Sequence, residues 1–492
     1  MQLIPNGPDI PSALLQAHEE GRVVFFCGAG IACSAGLPLF KGLVDKIYQK
    51  LHTSYSEQGH ELEKTAYCAS SFDRVLQLLE QRYPGGKNEA RKVLPEILAT
   101  PNPTELALAN HKALLTLAAD STNKVKLVTT NYDHLFAQAA EKLDKTHNYY
   151  SAPLLPLPKQ NIWNGVVYLH GLLPFSANES ATQNHTNLSL SNLVLTSSDF
   201  GAAYLTERWA ARFVTELFKK YVVCFIGYSL DDPILRYMVD ALAADSEQGE
   251  LEYQAYAFAG CSDADWQDIT NSWSAKGVKP ILYNSMNGHE LLRGTLTQWA
   301  SNYQLGMDSH RQVVSSYASS IPSSSTQEDD YVNRLLWALT EPTGQGARAF
   351  AEHQPVPPLE WLDVFIEKRY EHVDLVRFQV SDYPKTLSNK QPVKFSLLHR
   401  PTSSEQGPWQ SPLTSNAEVQ LDAVVFQLCR WMVRHLDQPK LLLIVAMHGG
   451  KVHGAFKRLI QEQLDESLSA EHRFNKKAIK QERVLWIQIK WS

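Results

Sequence analysis

Residues 23–31 read VVFFCGAGI, and this stretch decides the fold. A continuous apolar run of this kind is typical of a strand buried on both faces of a parallel sheet. Gly-Ala-Gly directly after the run allows a tight turn and a close approach of the backbone to a phosphate group. The same glycines equally suit a strand-to-helix turn that binds no ligand.

Similar apolar runs recur to about residue 300, each followed by a helical pattern. The strand candidates are residues 23–26, 125–129, 166–169, 221–226, 252–258 and 278–283, and the helix candidates between them are residues 72–82, 105–118, 133–143, 207–219, 233–243 and 289–299. This alternation predicts an α/β fold, with a Rossmann-like parallel sheet and helices on both faces. Ligands of such sheets bind beyond the carboxyl ends of the strands.

The pattern changes after a Ser-rich and then acidic stretch that ends at Asp330. Helical patterns dominate beyond it, over residues 331–339, 358–369, 421–436 and 456–464. We therefore expect a sheet domain over residues 1–310, a flexible linker over 311–330 and a mainly α-helical domain over 331–492.

Composition narrows the function. The chain has 492 residues, with 46 Lys and Arg against 52 Asp and Glu, so its net charge of −6 does not indicate a nucleic-acid partner. Its six cysteines lack zinc-ligand spacing, so no metal site is expected. With neither a signal peptide nor an apolar run of about 20 residues, we expect a cytoplasmic protein that does not enter a membrane.

Three further motifs place polar residues directly after apolar strands. They read LVTTNYD at 127–133, VVYLHG at 166–171 and FIGYSLDDP at 225–233. Thr, Asn and Asp supply the short donors and acceptors that hold a ribose, although Asn131 or Asp133 would also serve as a helix cap. His170, beside a glycine at a strand end, is expected to be open to substrate and to titrate near neutrality, unless it is structural.

Taken together, the four motifs resemble the sirtuin family, which cleaves the nicotinamide glycosidic bond of NAD+. The run from Gly28 to Phe40 resembles the family's phosphate loop, and residues 129–133 resemble its Thr-Gln-Asn-x-Asp motif. His170-Gly171 is similar to the His-Gly motif, and residues 227–229 are similar to Gly-Thr-Ser. The motifs follow one another in the family's order along residues 20–300.

The resemblance implies a role for each matching residue. Asn131 and Asp133 would hold the nicotinamide ribose and a water, and His170 would be the general base on a ribose hydroxyl or on that water. Gly28, Ala29 and Gly30 would hold the pyrophosphate. The remaining NAD+-binding residues implied are Ile31, Pro38, Phe40 and Thr130, with Gly227, Ser229 and Asn284 on the adenosine side.

Departures from the deacetylase members point to a particular branch. Ala32 stands where those members have Ser, and Leu39-Phe40-Lys41 stands where they have Asp-Phe-Arg. Their four-cysteine zinc module is absent, because Cys224 is the only cysteine between His170 and Gly227. The chain is instead similar to the zinc-less sirtuin-like NADases of bacterial antiphage defence.

The expected activity is therefore NAD+ glycohydrolysis to ADP-ribose and nicotinamide, with NAD+ as substrate and no zinc. Two alternatives stay open: a module that senses NAD+ or ADP-ribose, and an ADP-ribosyltransferase or deacylase acting on a protein. Because uncontrolled NAD+ cleavage would be toxic, we expect a homo-oligomer or a partner protein that senses infection to switch the enzyme on.

Overall fold

The described residues of the computed structural model form a sheet of seven strands, and all of its strand pairs are parallel. The model describes residues 1–158, 163–175, 188–229, 238, 255–262, 264–323, 330–371, 374–375, 378, 394–401, 411–413 and 420–471. The strands are β1 Val23–Cys27, β2 Lys126–Thr129, β3 Tyr149–Ser151, β4 Gly165–Tyr168, β5 Val222–Ile226, β6 Ala255–Cys261 and β7 Lys279–Asn284. Their order across the sheet is β3-β4-β2-β1-β5-β6-β7. The predicted α/β fold is confirmed.

The strand order reverses beside β1. From β1 the chain builds one side of the sheet through β2, β3 and β4, and it returns to the other side of β1 with β5. Cys27 is in register with Thr129 of β2 and with Ile226 of β5, so three strands end at one level. This reversal is where parallel α/β sheets open a ligand crevice.

Helices connect the strands, as the apolar periodicity predicts. The α-helices in the part of the chain around the sheet are Ser12–Glu19, Phe40–Lys50, Glu61–Cys68, Phe72–Arg82, Gly86–Ala90, Leu94–Ile97, Glu105–Leu117, Leu135–Lys142, Ser197–Phe200, Trp209–Phe218, Trp266–Ser274 and Met286–Leu305. The 3₁₀-helix Ala29–Ala35 follows β1, and the π-helix Gly201–Thr206 follows Ser197–Phe200. The predicted helix at 233–243 lies outside the described residues, apart from Met238.

Two compact units make up the chain. The sheet unit is Gly7–Ser301, and the helical unit is Met1–Asn6 with Asn302–Ser492. A helix, Met307–Tyr317, occupies the first part of the segment where the sequence predicts a flexible linker, and residues 324–329 of that segment lie outside the described residues.

The helical unit has a core of its own. Its other described α-helices are Tyr331–Leu339, Gln345–Glu352, Trp361–Ile366, Ala423–Met432, Pro439–Met447 and Gly454–Glu471. At its centre Phe350, Phe365 and Trp431 are fully buried, with the Phe365 and Trp431 ring centroids 5.3 Å apart. This confirms the predicted mainly helical region. Within the described ranges, no helix of either unit is long and apolar enough to cross a membrane.

Candidate active site

The turn after β1 packs directly on the end of β5. The Gly28 amide donates to the Ile226 carbonyl at 2.8 Å, and the Gly30 amide donates to the Gly227 carbonyl at 2.9 Å. A Cβ on Gly30 would lie 2.9 Å from the Gly227 Cα, and Gly227 itself has φ +76°. Glycine is therefore required here by backbone packing, and that packing brings the predicted phosphate turn beside Ser229.

A cavity of about 600 Å³ lies at these strand ends. Most of the predicted site residues line it, namely Ala29, Gly30, Pro38, Phe40, Thr130, Asn131, Asp133, Gly227 and Ser229. The predicted residues that do not line it are Gly28, Ile31, His170 and Asn284. The Ile31 amide donates to the Gly28 carbonyl at 3.3 Å within the turn, and the Asn284 side chain accepts a hydrogen bond from the Met286 amide at 3.0 Å.

Asn131 presents an unsatisfied donor at the cavity. Its side chain is 7% exposed, and its backbone amide donates to the Thr129 hydroxyl at 3.1 Å. The Nδ2 amide is buried and has no hydrogen-bond partner among the described residues. Since a buried donor without a partner costs about 1–3 kcal/mol, the site favours a ligand that offers Asn131 an acceptor oxygen.

Asp133 lies two residues before a helix and lines the cavity. Its Oδ1 accepts a hydrogen bond from the Leu135 amide at 3.0 Å, at the first residue of Leu135–Lys142. The N-cap residue of that helix is His134, which makes no side-chain cap hydrogen bond, so neither Asn131 nor Asp133 is the cap itself. The side chain is 4% exposed, and this burial raises its pKa to about 6. No other Asp or Glu is among the described residues that line the cavity. The site therefore holds one carboxyl group that changes charge near neutral pH.

A hydroxyl bridge joins the ends of three strands. Thr130, after β2, lies 2.7 Å from the Tyr228 hydroxyl, after β5, and that hydroxyl also donates to the Cys27 carbonyl of β1 at 3.3 Å. The Tyr228 ring packs on Gly28, where a Cβ would come within 3.0 Å of it. Tyr228 stands where the deacetylase motif has Thr, and here it fixes the cavity wall.

His170 is not open to the cavity, which corrects the expectation from its position beside a glycine. It is fully buried, and its Nε2 lies 2.9 Å from the Tyr204 hydroxyl of the π-helix. The Phe200 ring packs edge-on at a centroid distance of 5.2 Å. Burial lowers the pKa of His170 to about 3, so the imidazole is neutral near pH 7 instead of titrating there.

Asn110, Tyr228 and Arg293 are among the cavity residues that the motifs do not indicate as site residues. Asn110 donates to the Ile31 carbonyl at 3.4 Å, and its signal was an amide on the buried face of the helix Glu105–Leu117. Tyr228 lay within a quoted motif but was not selected. Arg293 carries no local signal, because it lies far along the chain from every motif.

Within the described ranges, no three His, Cys, Asp or Glu side chains are grouped so that they could hold a metal ion. All six cysteines are free thiols, and Cys27, Cys224, Cys261 and Cys429 are buried.

Comparison with known proteins gives one family match and one relative. Residues 125–281 match the family model of the SIR2-like domain, and this segment holds three of the four motifs. The match supports a sirtuin-like family for the sheet unit, and SIR2-like domains bind NAD+. The chain is also 31% identical over 355 residues to the uncharacterized protein y4cA of Sinorhizobium fredii (strain NBRC 101917 / NGR234). That similarity covers 71% of this chain and 28% of the relative.

Proposed function

We propose that the sheet unit hydrolyses the N-glycosidic bond of NAD+, releasing nicotinamide and ADP-ribose. The observation that carries the proposal is the pair of Asn131, with its unpaired buried amide, and Asp133, with its buried carboxyl, at one cavity. The SIR2-like match supports NAD+ as the substrate. The protein y4cA adds no activity to the argument, because it is itself uncharacterized.

The chemistry requires oriented polar groups on one side of the reacting ribose. When the C1′–N bond breaks, its electron pair neutralises the pyridinium and leaves an oxocarbenium-like ribose. Asn131 would donate its free amide to a ribose hydroxyl and fix the sugar. Water would then bond to C1′, and its proton would pass to Asp133, which is ionised above its pKa of about 6.

His170 has a different place in this proposal from the one that the family motif implies. Because it is enclosed by Phe200 and Tyr204, it would act as a base only after that enclosure opens. In the described conformation Asp133 is the one carboxyl group among the described residues that line the cavity. We therefore propose Asp133 as the proton acceptor and His170 as a residue that supports the strand end.

The proposal is tested with the purified full chain and NAD+, with nicotinamide and ADP-ribose quantified by chromatography. Asn131→Ala should lower kcat by about 100-fold or more and change KM by only a few fold, because the lost contact orients the reacting sugar. Asn271→Ala, at an exposed position on Trp266–Ser274, is the matched control and should keep full activity.

Two results would contradict the proposal. Saturable NAD+ binding without nicotinamide release after prolonged incubation would make the unit a sensor. Label passing from NAD+ to a protein instead of free ADP-ribose would make it a transferase.

We further propose that the activity serves antiphage defence in the cytoplasm, where regulated hydrolysis would deplete cellular NAD+. The similarity of the motifs to zinc-less defence NADases supports this role. Control would come from a homo-oligomer or a partner that acts through the helical unit. In bacteria that express the chain, NAD+ should fall only after phage infection, and Asn131→Ala should abolish both the fall and the protection. A constant NAD+ level during infection would refute the defence role.

A further inference from the structure

The Arg293 guanidinium at the cavity has no ion pair with the residues that the structure describes. Arg293 is half-buried on the helix Met286–Leu305 and lines the cavity, and it forms no side-chain hydrogen bond or ion pair with the described residues. Lys41, which also lines the cavity, is paired with Asp45 at 3.0 Å. Guanidinium is always charged and presents five donors, so a partly desolvated arginine is stabilised by a bound anion.

Arg293 lies at the end of the cavity that the adenosine half of a dinucleotide would occupy. The phosphate turn is at β1 and β5, and Asn131 follows β2 on the nicotinamide side. In the other direction the sheet continues to β6 and β7, about 10 Å beyond β5 at a strand spacing of about 4.8 Å. The cavity there is lined by apolar and aromatic side chains that suit a purine ring, namely Phe258, Ile269, Trp273, Tyr283 and Leu292.

A strained turn fixes the wall beside Arg293. Asn287, Gly288 and His289 have φ of 56°, 65° and 60°, three consecutive residues in the left-handed region. This conformation costs about 1–2 kcal/mol for each non-glycine residue. It holds the His289 ring 2.9 Å from the Tyr283 hydroxyl, one helical turn before Arg293. Backbone strain beside a cavity is typical of a ligand-binding wall.

The charges at this end of the cavity favour a phosphate over a free ribose hydroxyl. Dinucleotide sites that hold the adenosine 2′-hydroxyl use a carboxylate, whereas an arginine accommodates a 2′-phosphate. The one described carboxyl group that lines this cavity is Asp133, which lies at the nicotinamide end. We propose that Arg293 binds the 2′-phosphate of the adenosine ribose, so that NADP+ belongs to the substrate class of this site.

The claim that NADP+ is a substrate rests on the proposed function. Recognition of the 2′-phosphate does not, because it is measured by ligand binding alone. The probes are ADP-ribose and 2′-phospho-ADP-ribose, titrated calorimetrically into the full chain. The phosphorylated ligand should bind about 10- to 100-fold more tightly, as expected for a charge-assisted contact. Arg293→Gln should remove this ratio and leave ADP-ribose affinity within about twofold.

Two further variants show whether the guanidinium itself is responsible. Arg293→Lys keeps the positive charge and loses the planar fork, so it should retain part of the preference. Arg212→Gln, at an exposed position on Trp209–Phe218, is the control and should retain all of it. Unchanged thermal unfolding of each variant would show that the cavity is intact.

Equal affinity of the wild-type chain for the two ligands would overturn the inference. An equal loss for both ligands in Arg293→Gln would also overturn it, because Arg293 would then contact the pyrophosphate. If the affinity ratio holds while neither NAD+ nor NADP+ releases nicotinamide, the proposed function fails, and the assignment of Arg293 to the 2′-phosphate stands as a binding site alone. If the wild-type chain hydrolyses NADP+ with a kcat/KM no higher than that of the Arg293→Gln variant, the inference fails and the proposed function stands.

Discussion

Replacing Asp133 by Asn should stabilise the sheet unit at neutral pH. Asparagine has nearly the same shape, and its Oδ1 can still accept the hydrogen bond from the Leu135 amide. What the change removes is a buried negative charge, since the side chain is 4% exposed and has no ion pair with the described residues. An unpaired buried charge opposes folding.

The magnitude follows from the two pKa values of the carboxyl group, about 3.8 unfolded and about 6 folded. Below 3.8 both states hold the proton, and Asp133 costs nothing. Between 3.8 and 6 the unfolded chain releases a proton that the folded chain keeps, so the wild-type chain loses stability as pH rises. Above 6 the loss is complete, at about 3 kcal/mol for a rise of about 2 in pKa.

The assay is urea unfolding of the full chain between pH 4 and pH 8, followed by tryptophan fluorescence. The stabilisation of Asp133→Asn relative to the wild type should be about 2 kcal/mol larger at pH 7 than at pH 4, because part of the loss has already occurred at pH 4. The control is Asp268→Asn on the exposed face of Trp266–Ser274, which should change stability by only a few tenths of a kcal/mol. The reasoning would be refuted if the wild type were more stable than Asp133→Asn at pH 7, or if the difference between their free energies of unfolding did not change with pH.

Activity should move in the opposite direction. If Asp133 accepts the proton from water, wild-type nicotinamide release should rise as pH increases through about 6 and then level off. Asp133→Asn should lower kcat at every pH and should show no such rise. A variant that is both more stable and fully active would remove Asp133 from the reaction.

Two further substitutions test the packing around the site, each by urea unfolding. Tyr204→Phe leaves the His170 Nε2 without its partner at 2.9 Å and should lower the free energy of unfolding by about 1–3 kcal/mol. Tyr221→Phe removes a buried hydroxyl that has no partner among the described residues, so it should lower that free energy much less. Equal losses of stability would mean that the Tyr204 hydrogen bond contributes little. Gly227→Ala should destabilise the protein more than Gly277→Ala does. Both glycines have positive φ, but only a Cβ on Gly227 would meet backbone, the Ile31 nitrogen at 2.7 Å. Similar losses of stability would show that the turn at Gly227 relaxes freely.

Local pattern was enough to predict most of the sheet. The apolar run at 23–26 became β1, and the predicted helices at 72–82 and 331–339 have those bounds in the structure. These segments are buried through their own hydrophobic pattern, so the sequence carries the signal. The edge strand Tyr149–Ser151 was missed because three half-buried residues offer no period to detect.

The site residues, too, were predictable only where the signal is local in the sequence. The polar residues after each strand were visible in sequence because a buried strand has no packing use for them. Whether each of these side chains reaches the cavity depends on what covers its strand end. Asn131 and Asp133 line the cavity, whereas His170 is enclosed by Tyr204 and Phe200. That covering segment lies about 30 residues further along the chain, so no local motif predicts it.

The sequence by itself determined the order of strands and helices and which strand ends carry polar groups, because these depend on neighbouring residues. Only the tertiary structure decided which of those groups share one cavity and with what charge. Burial raises the pKa of Asp133 to about 6. The helix after β7 brings Arg293 to the same cavity that Gly30 lines, more than 260 residues earlier in the chain. Desolvation and long-range proximity arise only when distant segments pack together.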